Sequence, residues 1–579
     1  MSEHPPEQAA PGPEGEAGQG PTAARASASR IPARPAGMSR SPGRWVETFA
    51  LALAGALQSL ALVETRAWIL PVLSLALLVW RLDRSPGPRR AAWLAWVHAS
   101  AGLAAAVWWL FISMHTYGHL PAWMAATAVG LLSAGLSLYG AAAAALYVRL
   151  RRGRPGIDTL LFAMLWLAAE LARGQWLTGF PWAASGYTQV DSPLAALAPW
   201  VGVYGIGAVL AGLAVLVARA GQGRWRWPVP ATAGVLAALA LAGPGEFTQA
   251  GRPLRVKLLQ TNVPQDEKFA AERMPQVLQW VARELTTGDA DLVVAPETAV
   301  PLLPGQLAEL APGYWEGLRE HFAGGTRAAL VGLPLGDYDR GYTNSVAGLS
   351  RQAAALPGGF YRYDKLHLVP FGEFIPWGFR WFTELMNIPL GDFMRGVPNP
   401  PSFEVQGERA APNICYEDLF GEELALRFAD AARAPTLMVN VSNIGWFGDT
   451  IAVAQHLNIS RLRALEFQRP MLRATNTGAT AVIDHRGRVT ARLAAFRTGT
   501  LDATVEGRRG TTPYAAWVSR TGWWPGWLLV AGVLLALRRG ARTPDGANGS
   551  PTGTGRFASG RTLSVLPARV GPGRRAGPA

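Results

Sequence analysis

Hydrophobic positions fall in two patterns along the chain. Long apolar runs cover residues 46–63, 67–80, 91–112, 122–148, 157–172, 194–218 and 227–243, and an eighth covers 523–537. Each is near the ~20 residues an α-helix needs to cross a bilayer. Any one of them could be a buried core helix, but seven in succession favour membrane spans. The first run starts too far into the chain to read as a cleaved secretory signal. From about 249 to 520 the pattern changes to short β-type runs at 254–260, 291–296, 328–334, 344–350, 435–442 and 479–485. Helical patterns at 270–286, 305–321, 420–433 and 454–467 lie between several of them. Strands alternating with helices predict an α/β layered domain. Residues 1–44 and 541–579, rich in Pro and Gly and without apolar periodicity, are expected to be disordered. No internal repeat is evident. The division expected is a tail to 44, membrane helices over 45–248, a layered domain over 249–520, a last span over 521–540 and a second tail.

Loop charge predicts an orientation. With the N-terminus in the cytoplasm, inward-facing gaps carry Arg81, Arg84, Arg89, Arg90, Arg149, Arg151, Arg152, Arg154, Arg219, Arg224 and Arg226. Arg538, Arg539 and Arg542 follow the eighth run, whereas the short outward gaps hold only Arg66 and Arg173. Cytoplasmic loops are enriched in Lys and Arg. Seven crossings then place 249–520 outside the cytoplasm, and the eighth returns the chain.

Composition agrees with a membrane protein carrying a soluble part: 49% of residues are apolar, 16% are charged and 23 are Trp. The net charge of +14 sits largely in tails and short loops, so it is not a nucleic-acid signal. Among 54 basic residues only Lys257, Lys268 and Lys365 are lysines. Lys257 and Lys268 read as ordinary composition. Cys415 is the single cysteine, which rules out an internal disulfide.

Cys415 lies between a β-type stretch and a helical one, where a helix dipole would favour the thiolate. Taken alone, a lone Cys is more often a small buried apolar residue. Its neighbours Glu417 and Asp418 would oppose ionisation in a closed site, so a compensating cation is expected. Lys365, in "YRYDKLHLVPFGEFIP", is the best placed, and it would also stabilise an oxyanion. Glu297, in "VVAPETAVP", follows a predicted strand and could carry a proton. Each has a bland alternative: a strand-end lysine, a capping glutamate. A Cys–His pair using His367 or His456 stays open on spacing alone. There is no Gly-x-Ser-x-Gly elbow, and the histidines lack zinc-like helical spacing.

In that order, "APET", "YDKLHLVPFGEFIP" and "NICYED" resemble the Glu–Lys–Cys triad of the nitrilase superfamily. The apolar N-terminal half with "ELARGQWLTGFPWAASGY", then "SNIGWFGDT", "RALEFQRPMLRATNTGATAVI" and a last span narrow the likeness. Over about residues 45 to 540 the chain resembles the bacterial apolipoprotein N-acyltransferase family. That resemblance implies an α/β fold, a nitrilase-like αββα sandwich on an eight-helix transmembrane bundle, working as a monomer without cofactor, metal or nucleic acid. It implies acyl transfer from a phospholipid, typically phosphatidylethanolamine, to the N-terminal amine of a diacylglyceryl-cysteine on an apolipoprotein. It makes Glu297 the general acid/base, Lys365 the electrostatic stabiliser and Cys415 the nucleophile. Glu373, Tyr416 and Glu417 become supporting residues, and Asn443 and Trp446 line the substrate side. Location follows as the bacterial inner membrane, with the catalytic part periplasmic. Three positions depart from the family pattern: Ala295 and Phe269 where Trp is frequent, and Ile444 where an acid is frequent. They bear on lipid contacts rather than on the triad.

A lipid substrate needs an entrance from the bilayer. Residues 374–394 are dense in Trp377, Phe379, Trp381, Phe382, Met386, Phe393 and Met394, which suits an arm at the interface, with ordinary core packing as the alternative. Glu170 and Arg173, at the outer end of the fifth run, are either functional or simply paired. Two rivals use the same sequence: a membrane-tethered amidase, which would need only one span, and an inactive scaffold or transporter, against which the intact triad argues.

Overall fold

Each of the eight apolar runs contains a helix in the computed structural model, which describes residues 42–220, 228–268, 270–380 and 392–539. Among the described residues five helices are long and apolar enough to cross a membrane: Gly43–Leu62, Thr65–Leu82, Ala122–Leu150, Pro155–Gln175 and Pro193–Arg219. Pro88–Val107 and Leu110–Tyr117, bent by 60°, make a sixth if the pair is one span. The count of eight is not confirmed among the described residues, where Thr232–Ala242 and Trp524–Arg538 are shorter apolar helices. The reason is geometric: at about 1.5 Å per residue, fifteen or so helical residues fall short of a hydrocarbon core of about 30 Å.

Ion pairs tie the helix ends that carry the loop charge. Arg219 donates to Asp83 at 2.5 Å and to Asp158 at 3.0 Å, and Arg151 donates to Asp83 at 3.1 Å. At the other end of Pro155–Gln175, Arg173 stands 3.7 Å from Glu170, whose carboxylate also accepts the Ser185 N–H. Of the two readings open for Glu170 and Arg173, pairing is the one observed.

Twelve strands follow: β1 (Thr248–Gln260), β2 (Leu292–Val294), β3 (Ala328–Asp337), β4 (Gly341–Leu349), β5 (Tyr361–Asp364), β6 (Phe403–Val405), β7 (Glu408–Ile414), β8 (Leu437–Ser442), β9 (Met471–Thr475), β10 (Ala481–Ile483), β11 (Val489–Arg492) and β12 (Gly499–Gly510). They form two six-stranded mixed sheets, ordered β12-β1-β2-β3-β4-β5 and β11-β10-β9-β8-β7-β6. Alternation along the strands assigns their faces. Leu292 and Val294 of β2 join Val439 and Val441 of β8 in the core between the sheets. Val293 points the other way and packs with Leu278, Val281 and Phe322 of Met274–Thr286 and Tyr314–Gly324. The outer face of the second sheet packs on Ile451–Phe467 and Pro513–Thr521. These two helices share one apolar core with Pro155–Gln175 and Ala198–Arg219, so the sandwich is continuous with the membrane helices. Where 420–433 reads as helical, the chain forms only Gly421–Ala425 and a short 3₁₀ turn.

One glycine makes that junction possible. Gly202 kinks the Ala198–Arg219 helix at φ +62°, ψ −172°, and a Cβ there would lie 2.3 Å from the Tyr514 ring. Gly202→Ala combines backbone strain of about 1–3 kcal/mol with a clash against a packed aromatic. It is expected to lower the thermal midpoint of the detergent-solubilised protein by several degrees, measured by differential scanning fluorimetry.

Candidate active site

The chemistry-bearing residues come from the ends of different strands. Glu297 follows β2, Asn344 lies on β4, Lys365 follows β5, Cys415 follows β7 and Asn443 follows β8. Strand ends of layered α/β folds bring separate side chains together in this way. Close approach at β2 requires Gly332 on β3, where a Cβ would sit 2.3 Å from the Pro296 carbonyl oxygen. Positive φ recurs at the site: Thr298 (+52°), Phe371 (+62°) and Cys415 (+52°). For residues other than glycine such angles cost energy and persist where surrounding contacts enforce them.

Lys365 is 1% exposed. Its Nζ donates to Glu373 Oε1 at 2.9 Å and stands 3.6 Å from Glu297 Oε1. Asn344 Nδ2 lies 2.7 Å from both carboxylates and bridges them. Glu373 is pinned further by the Val369 N–H at 2.8 Å, and Glu297 Oε2 by the Asn443 N–H at 2.7 Å. That N–H also faces the Cys415 sulfur, and both Glu297 and Lys365 act on the thiol electrostatically. The structure therefore brings Glu297, Lys365, Glu373 and Cys415 together, with Asn344 as a member that carried no signal in sequence.

Cys415 opens a 3₁₀ turn of five residues, Cys415–Leu419, rather than a long helix. Burial, then the Glu297 charge, push its thiol up, and Lys365 offsets only part of this. The resting sulfur is thus a neutral thiol beside a carboxylate, not the thiolate that a helix dipole would favour. The compensation expected for Glu417 and Asp418 also takes another form. Glu417 accepts from Tyr363 Oη and the Ile414 N–H at 2.6 Å, the Leu366 N–H at 2.7 Å and the His367 N–H at 3.2 Å. It ties the lysine segment to the strand that ends at Ile414. Asp418 turns away and pairs with Arg473 at 3.3 Å.

Tyr416 donates to the Gly179 carbonyl at 3.2 Å, and a His367 ring nitrogen stands 3.1 Å from the Thr178 carbonyl, so the loop after Pro155–Gln175 grips the Cys415 turn. His367 thus faces this loop and Glu423, not the thiol. Asn443 is held by Gln265 at 2.7 Å and by Asn476 at 2.9 Å. Trp446, 41% exposed, meets Tyr117 edge-on at 5.7 Å and lies at the rim, not at the triad. Tyr117 belongs to a π-helical turn, Ser113–Tyr117, a distortion common at functional sites. Phe269 and residues 381–391, which include most of the suggested arm, lie outside the described residues. Of the arm's remainder, Trp377 is 99% exposed. Among the described residues no His, Cys, Asp or Glu cluster could hold a metal.

Lys268 corrects the sequence reading. Lys257 does pair with a nearby carboxylate, Glu284, at 2.8 Å. Lys268 instead is 6% exposed, and its Nζ donates to the Glu297 carbonyl at 3.1 Å. Burial lowers its pKa to about 8, opposed by the charge of Glu297. Its rarity as a lysine was the available signal.

Two outcomes follow from these charges. Below pH 8 Lys268 is protonated in the folded and unfolded protein alike, so the cost of burying its charge is present in full. That cost fades as pH rises from about 8 toward the ordinary 10.5, because only the folded form has then lost its proton. Lys268→Met should therefore raise the thermal midpoint at neutral pH, by a margin that shrinks in alkali, while lowering acylation at Cys415. Because the thiol is pushed up, its alkylation by iodoacetamide should keep accelerating with pH to at least about 9.5. A plateau below about pH 8.5, read by mass of the modified peptide, would contradict a neutral resting thiol.

Residues 54–216 match the family model of the apolipoprotein N-acyltransferase N-terminal domain, and residues 255–514 match that of carbon-nitrogen hydrolases. The chain is 54% identical over 481 residues to an apolipoprotein N-acyltransferase of Verminephrobacter eiseniae, covering 79% of this chain and 88% of that protein. It is 48% identical over 498 residues to one from Ralstonia nicotianae, covering 85% and 92%. For one from Bordetella bronchiseptica the identity is 41% over 546 residues, covering 86% and 98%. Since these relatives are matched through the apolar helices and the sandwich alike, the chain belongs to the apolipoprotein N-acyltransferase family.

Proposed function

We propose that the protein transfers an acyl chain from a phospholipid, through a thioester on Cys415, to the N-terminal amine of a diacylglyceryl-cysteine on apolipoproteins. The observation that carries this reading is one thiol, one lysine and two carboxylates gathered where a membrane-side loop meets the sandwich. Family membership supports the substrates.

In the first half-reaction Glu297 takes the thiol proton as the sulfur attacks the ester carbonyl. The oxyanion is held by the Lys365 ammonium and the Tyr416 backbone N–H. The carbon–oxygen bond breaks, and Glu297 returns the proton to the departing lysophospholipid hydroxyl. In the second half-reaction a neutral amine attacks the thioester and passes a proton to Glu297. The carbon–sulfur bond breaks, and that proton returns to the leaving Cys415. Glu373, fixed by Asn344 and the Val369 N–H, holds Lys365 in place through both steps. Apolar surroundings keep water from the thioester. Trp446, Asn443 and Phe269 are assigned to the substrate side.

The same reading places the protein in the bacterial inner membrane as a monomer, with residues 249–520 as a periplasmic catalytic domain and phosphatidylethanolamine as donor. The arginine asymmetry of the loops supports the orientation. All eight apolar helices cross, the two short ones with local thinning of the bilayer. No cofactor or nucleic acid takes part.

Purified protein mixed with labelled phosphatidylethanolamine should form a hydroxylamine-sensitive acyl adduct on the peptide containing residue 415. Cys415→Ala should abolish it, and Glu297→Gln or Lys365→Met should slow it at least about 100-fold. Adduct formation that survives Cys415→Ala overturns the mechanism. Release of free fatty acid without transfer to a diacylated lipopeptide identifies a hydrolase instead.

A further inference from the structure

The nucleophile turn is held from behind by a buried polar network. Two side chains converge on the Cys415 carbonyl oxygen: His456 Nε2 at 3.1 Å and Asn440 Nδ2 at 3.3 Å. Arg473, on β9, lies behind both. Its Nη2 stands 3.2 Å from His456 Nδ1, and its Nη1 stands 3.3 Å from Asn440 Oδ1. Asp418 Oδ2 at 3.3 Å and the Ser460 hydroxyl complete the set, with Ser460 also bonded to Asp418. His456, Arg473, Asp418, Asn440 and Ser460 are all buried to 1% exposure or less.

The chemistry of the groups assigns the tautomer. A guanidinium only donates, so His456 Nδ1 must accept. The proton then lies on Nε2 and points at the Cys415 carbonyl. Burial and the Arg473 charge also keep the ring neutral. His456 is therefore arranged as a donor to the nucleophile's backbone, not as a base for its thiol. The turn needs such a hold, because Cys415 sits at φ +52° without being glycine. The Trp182 ring covers His456 with centroids 5.8 Å apart, and Trp182 Nε1 bonds the neighbouring Gln455 at 2.8 Å. The membrane-side loop thus closes the network on its far side.

We propose that His456 is a positioning residue, which with Arg473 behind it holds Cys415 in the left-handed turn that aims its sulfur at Glu297 and Lys365. The proposal rests on acyl transfer through Cys415. Side-chain length separates positioning from filling: Gln places an amide N–H near the position of Nε2, whereas Asn, one methylene shorter, does not reach.

The test is single-turnover acylation of the full-length protein in mixed phospholipid–detergent micelles, with the Cys415 peptide quantified by mass. His456→Asn is expected to lower the acylation rate constant about 10- to 100-fold, with the donor concentration for half-maximal rate within about twofold of wild type. His456→Gln is expected to stay within about fivefold of wild type in both. Equal rates for Asn and Gln overturn the proposal, as does a loss confined to donor affinity. Should His456→Asn fail to fold, His456→Gln decides alone, since a loss beyond tenfold in a folded Gln variant overturns it. A wild-type protein that forms no adduct defeats the acyl-transfer reading itself, which is a separate outcome.

Discussion

A buried lysine between two carboxylates is the constraint on which the rest of the site depends. Taking Lys365 out of water is costly, and the cost is met only because Glu373 and Glu297 stand beside it. Those charges raise the affinity of Lys365 for its proton against the opposing effect of burial. A permanently charged ammonium next to a shared carboxylate pair suits a site where negative charge appears transiently on a substrate oxygen. Such a cluster tolerates little displacement, which explains why each carboxylate has further donors: Asn344 on both, the Asn443 N–H on one and the Val369 N–H on the other.

The sulfur is governed by the same balance. Burial first, and then a field in which the Glu297 and Glu373 carboxylates oppose the nearest ammonium, push its pKa up, so it keeps its proton. A neutral thiol is less exposed to stray electrophiles than a thiolate, and in the proposed mechanism the carboxylate that helps raise its pKa also receives its proton. The acidic residues next to Cys415 in sequence have separate tasks. Glu417 fastens two backbone segments, and Asp418 anchors Arg473. Sequence proximity to the thiol overstated their electrical effect, because successive side chains in a tight turn point in different directions.

The membrane helices do more than tether. Ala198–Arg219 and Pro155–Gln175 share a core with Ile451–Phe467, the helix that supports the second sheet and carries His456. The loop beyond Pro155–Gln175 reaches Tyr416 and His367, and Trp109 and Trp182 both bond Gln455. A sandwich lacking these partners would expose apolar faces and leave the nucleophile turn open on one side.

Local pattern determined a great deal. Apolar runs located the membrane-type helices of the described residues, and short β-type runs located six strands at or near their observed places, since burial of whole faces is written directly into residue order. Motif order also singled out Glu297, Lys365 and Cys415, which the fold brings together from the ends of three strands. What local pattern missed has a common cause. β7 was anticipated only as the β-type stretch before Cys415, while β5, β6, β9 and β11 are short and β12 is exposed along one side, and their pairing depends on partners elsewhere in the chain. Asn344, Lys268, His456 and Arg473 have ordinary neighbours, and their roles arise only when separate strand ends and one helix converge. The thiol's protonation was likewise a tertiary outcome: it depends on burial and on charges brought from residues 297, 365 and 373, and those distances do not exist until the chain has folded.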